Sequence, residues 1–118
     1  MRRIPMFALA LGLLLPACGG GTSVPAFCGV SDAARVAISD ATPQDYPSAA
    51  AGHVDAVRAS ANELTGEQGS RAKKVADDLE AASKQKANSV EFTDAYNTFV
   101  SDSNEFNHAY CNQQDVDL

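Results

Sequence analysis

The sequence predicts an all-α fold, a small up-down bundle of about four helices. Apolar residues recur at steps of three and four along four separate stretches. That is the period of a helix with one buried face. No stretch of any length alternates apolar and polar residues as a half-buried strand would. Two cysteines, Cys28 and Cys111, bound the helical region. An even number of antiparallel helices returns the chain to the end where it began, which would bring those two positions together.

The first segment is a targeting signal. Arg2 and Arg3 form a positive start, and Phe7 to Leu15 is a run of nine apolar residues. Nine residues suit the apolar core of a signal peptide and fall far short of the ~20 that span a bilayer. Leu15-Pro16-Ala17-Cys18 resembles the lipobox of bacterial lipoproteins. The resemblance implies cleavage before Cys18, lipid on its sulfur and an extracytoplasmic, membrane-anchored protein. Residues 1–17 are then the signal peptide, and 18–24, with Gly19-Gly20-Gly21, a lipidated cysteine on a flexible tether. The alternative is an ordinary secretory signal. Val24-Pro25-Ala26 would allow cleavage before Phe27 and release a soluble, secreted protein.

The bundle is expected over 25–111. In its first helix Phe27, Val30, Ala34, Ile38 and Ala41 share a face. It starts either near Pro25 or at a Ser31 cap, and ends at Thr42-Pro43, because a residue before proline avoids the helical region. The second helix carries Tyr46, Ala50, Val54, Val57, Ala61 and Leu64 on one face, with Pro47 in its first turn. Thr65-Gly66 stops it, the glycine serving as a left-handed cap. After a loop through Gly69, Ser70 caps a third helix bearing Ala72, Val75, Ala76, Leu79 and Ser83 on one side. Glu80 and Lys84 form an i,i+4 pair in its favourable order. The fourth helix has the strongest stripe: Phe92, Tyr96, Phe99, Ser103, Phe106 and Tyr110. Asn88 or Ser89 caps it, and Asn88 with Glu91 has capping-box spacing. Residues 112–118 form a polar tail.

Removing 1–17 leaves 101 residues, one domain. Lys and Arg fall from 9 to 7 while Asp and Glu stay at 15, so the net charge is −8. So acidic a chain repels phosphate backbones, and no nucleic-acid partner is expected. Large apolar residues are sparse and there is no tryptophan. A core this thin needs a staple. With Cys18 taken by lipid, Cys28 and Cys111 remain, and an exported chain with two cysteines reads as one disulfide. The loop it closes is 84 residues long, worth about 4–5 kcal/mol of loop-closure entropy.

No constellation for catalysis is present. The two histidines, His53 and His108, have no serine or cysteine motif beside them, and there is no phosphate-binding glycine loop. Glu105-x-x-His108 has the spacing of a di-iron half-site. It occurs once, and at ~100° per residue both side chains point away from the apolar stripe. No metal site and no cofactor are expected. Tyr46 and His53 lie seven apart on one face of the second helix, where they could line a pocket or ligate haem iron. The aromatic stripe reads as core. A pocket would remain there only if the alanine-rich faces failed to close on it.

Signal, Cys18, glycine tether and helical domain together resemble the small Ala-rich helical lipoproteins of high-GC Gram-positive bacteria. That resemblance implies location and fold. Cys28-x-x-Ser31-Asp32-x-Ala34-Arg35, with Asp45-Tyr46 after it, is similar to the N-terminal run of mycobacterial secreted haem carriers. Those use a tyrosine with a histidine one turn later; here that position is Ala50, and His53 is the candidate substitute. The expectation is a non-enzymatic interaction or structural lipoprotein of the cell envelope, with a membrane and an envelope protein as partners. The alternative is a carrier of haem or another small apolar ligand, held by Tyr46 and His53.

Overall fold

The computed structural model describes residues 20–111. The expected signal segment, Cys18 and the tail 112–118 lie outside them. Four helices pack against one another, and no strand occurs among the described residues. Helix α1 spans Gly20–Asp40, α2 Tyr46–Ala61, α3 Gly66–Ser83 and α4 Val90–Phe106. A 3-10 turn, Pro43–Asp45, leads into α2, and a π-helical turn, Asn107–Cys111, ends α4. Backbones of consecutive helices approach closely, and α1 meets the π-helical turn. No described helix is long and apolar enough to cross a membrane.

The expected disulfide is formed. Cys28 and Cys111 are bonded, with Cα atoms 6.1 Å apart. The chain supplies the geometry through its last turn. On a regular α-helix Cys111 would stand one residue past the stripe of α4. The π-helical turn widens the spacing to i→i+5 and swings Cys111 back to a buried position.

The predicted faces are the buried faces. Phe27, Ala34 and Ile38 of α1, Ala50, Val57 and Ala61 of α2, and Ala72, Val75 and Leu79 of α3 form one core with Phe92, Phe99 and Phe106 of α4. Alanine lets helices approach; the phenylalanines fill what remains. Phe27 meets Phe106 at 4.7 Å between ring centroids, so rings bridge α1 and α4.

Several helix ends differ from expectation. Helix α1 starts at Gly20, earlier than either Pro25 or Ser31, so most of the glycine triplet and residues 22–24 lie within the helix. Val24 packs on the core and Cys28 is covalently held, and tertiary packing of this kind outweighs weak helix formers. Ser31 is inside the helix, buried, and donates to the Cys28 carbonyl at 3.2 Å. Gly66 does take a left-handed φ of 63°, but it opens α3 rather than capping α2.

Helix α3 therefore begins a turn before Ser70, and Gly69 lies inside it. A Cβ there would sit 2.5 Å from the Leu64 carbonyl oxygen. Only glycine lets this turn close on the end of the α2–α3 connection. At the start of α4 the cap is Ser89, whose Oγ accepts from the Phe92 amide at 3.0 Å. Asn88, the other candidate, is left-handed at φ 60° and outside the helix.

Candidate functional site

The seam between α1 and α4 carries a concave surface. Its rings hold the two backbones apart, and a groove of about 330 Å³ runs along it, lined by Asp32, Arg35, Val36, Ser39, Asp40, Tyr96 and Val100. A second depression of about 370 Å³ shares Asp32 and Arg35 and continues to Pro25, Gly29 and the Cys28–Cys111 disulfide. The floor is mixed. Val36, half exposed at 50 %, and Val100 provide apolar surface.

Arg35 is fixed at the centre. It donates to Asp32 Oδ1 at 2.5 Å and to Asn104 Oδ1 at 3.2 Å, which ties α1 to α4. Its Nε is buried without a hydrogen-bond partner. Burial raises the Tyr96 phenol above its ordinary value, with Arg35 pulling it down and Tyr46 adding to the rise. Tyr96 stacks on Phe92 at 5.8 Å, and Phe92 on Tyr46 at 5.7 Å, so an aromatic row runs from α4 to α2.

The sequence-predicted ligand residues lie away from this groove. Tyr46 is the first residue of α2, half-buried, and stacked on Phe92. His53 lies two turns on, in the middle of α2, and is half-buried. Neither lines the α1–α4 groove or the depression beside it. The stripe of α4 is core: Phe92, Phe99 and Phe106 are at most 4 % exposed. Glu105 and His108 are exposed, as their positions predict. They line a shallow surface of about 630 Å³ with Arg71, Ser101, Asn104 and Ala109. Among the described residues no group of three His, Cys, Asp or Glu side chains is placed to hold a metal.

The opposite side of the bundle is joined by charges. Arg58 of α2 reaches Asp77 at 2.9 Å and Glu80 at 2.7 Å on α3. The predicted Glu80–Lys84 pair forms at 3.2 Å. Hydrogen bonds to Lys84 and Arg58 hold the Glu80 carboxyl below its ordinary value, and Asp77 and Glu80 hold Arg58 above its own. Both groups are surface groups, where such pairs stabilise weakly.

Sequence reading missed the groove residues Val36, Tyr96 and Val100 as a set, because they come from two helices 60 residues apart. The Asp32–Arg35 spacing on one helix was the available signal. It also missed that Asp78 of α3 faces Asp102 of α4. Each stands one residue before a buried stripe position, Leu79 and Ser103, which marked them as carboxylates at the edge of the core.

No protein-family model, curated protein or solved structure matches this chain.

Proposed function

We propose that this chain is an extracytoplasmic lipoprotein of the cell envelope that works by binding a protein partner rather than by catalysis. The observation that carries the reading is a filled interior beside a formed outer groove. Phe27, Phe99 and Phe106 occupy the bundle interior at 1 % exposure or less. The α1–α4 groove sets the apolar Val36 and Val100 beside the tethered Arg35 guanidinium, and arginine beside apolar surface is common in contact surfaces. Lipid on Cys18 supports an orientation as well. Helix α1 begins two residues later, at Gly20, and rises ~30 Å at 1.5 Å per residue. The disulfide end of the groove would then face the membrane, with Asp40 and the α3–α4 connection farthest from it.

The test is site-directed photocrosslinking in the host envelope, with the probe at Val36 or, as a control, at the exposed Ala59 of α2. The reading predicts a discrete adduct from Val36 and none from Ala59, on a protein whose intact mass carries diacylglyceryl at Cys18. Equal, diffuse labelling from both positions would remove the groove from the account. A mass starting at Phe27 would remove the anchor.

A further inference from the structure

Asp78 of α3 and Asp102 of α4 adjoin across the seam, close enough for the one carboxyl to act on the other. One oxygen of each, Oδ2, is shielded from water and has no N–H or O–H donor. One proton shared by the two carboxyls would satisfy oxygens that are otherwise buried without a donor. Among the described residues, the cation that acts on Asp78 is Lys74. Lys74 lies 3.7 Å from Asp102 Oδ1, but its side chain is 66 % exposed and that of Asp102 only 14 %. A solvated ammonium at that distance offsets one charge weakly. Asp77, the remaining charge acting on Asp78, is negative. Arg58, from α2, is committed to Asp77 and Glu80. Arg35, from α1, is committed to Asp32 and Asn104.

We propose that Asp78 and Asp102 form a proton-operated latch on the α3–α4 seam, closed while Asp78 donates to Asp102 and opened when base removes the shared proton and the two carboxylates repel. The seam they guard is the core itself, where Val75 and Leu79 of α3 are buried with Phe99 and Phe106 of α4. Helix α4 stays tied to α1 through the Cys28–Cys111 bond, so opening is a movement of α3 away from α4.

Burial, then the hydrogen bond and charge of Asp102, push the Asp78 carboxyl up to about 7 from the ordinary 3.8. The proton belongs to the pair, not to one residue. Between those values the folded chain binds more protons than the unfolded one. Stability contributed by the latch is therefore full below pH 3.8, falls as pH rises towards 7 and is absent above it.

The experiment is a side-chain carboxyl ¹³C titration of the full, disulfide-bonded chain, paired with melting temperatures of the native protein and Asp78→Asn. The latch predicts one carboxyl of the pair titrating near neutral pH. It predicts a native melting temperature about 5 °C lower at pH 8.5 than at 5.5, and little change for Asp78→Asn over that range. If both carboxyls titrate near 4, or if Asp78→Asn loses as much as the native chain, the latch is wrong. Should Asp78→Asn not fold, the native titration decides alone. Lys74→Gln provides a second check: it should move the midpoint upward.

Discussion

Helix α4 is held on its two sides by unlike means. Towards α1 it presents large rings and a covalent bond: Phe106 against Phe27, and Cys111 bonded to Cys28. Towards α3 it meets small and aliphatic residues, Ala72, Val75 and Leu79, with a carboxyl pair at the edge. The bridging contacts of the first seam are rings, a disulfide and the Arg35–Asn104 hydrogen bond. The second depends on one proton. An acidic, alanine-rich chain can thus keep one joint fixed and make another responsive without changing its fold.

The comparison breaks most sharply at the disulfide. Replacing Cys28 and Cys111 with serine should cost about 4–5 kcal/mol, read by urea unfolding, and the loss should be equal at pH 5.5 and 8.5. A strongly pH-dependent loss would mean that the two seams are not independent. Phe106→Ala, at 1 % exposure, should cost about 3–5 kcal/mol through lost transfer energy and a cavity. It too should be flat with pH.

Asp78→Asn acts on the other seam and with the opposite sign. Discounted for solvent at a half-buried site, it should stabilise the protein by about 1–2 kcal/mol at pH 8, with the gain vanishing near pH 4. Equilibrium unfolding at both pH values reads this directly. Ser89→Ala is the control at the far end of the same helix, α4. It removes the cap bond to the Phe92 amide and should cost about 1 kcal/mol, with no dependence on pH.

Much of the fold was legible in the sequence because stripes and caps are local. The four faces, the helix count and the pairing of Cys28 with Cys111 followed from periodicity, parity and the export expected from the N-terminal segment. Helix ends were less legible. Gly69 reads as a loop residue until the Leu64 carbonyl is seen beside it, and the glycines after Cys18 read as a tether until Val24 is seen on the core. In both cases a tertiary contact outweighed local propensity. The candidate groove and the latch were not legible, since each needs the register between two helices. The Phe92–Tyr110 stripe told which face of α4 is buried, but not that Asp102 would meet Asp78, nor that Val100 and Tyr96 would stand opposite Arg35.

The difference between the two seams is tested most directly by amide hydrogen exchange on the disulfide-bonded chain at pH 5.5 and 8.5, corrected for the intrinsic rates. The account predicts that protection in α3, around Val75 and Leu79, falls at the higher pH, while protection in α1, from Phe27 to Ile38, holds. Uniform loss along both helices, or no loss in α3, would contradict it.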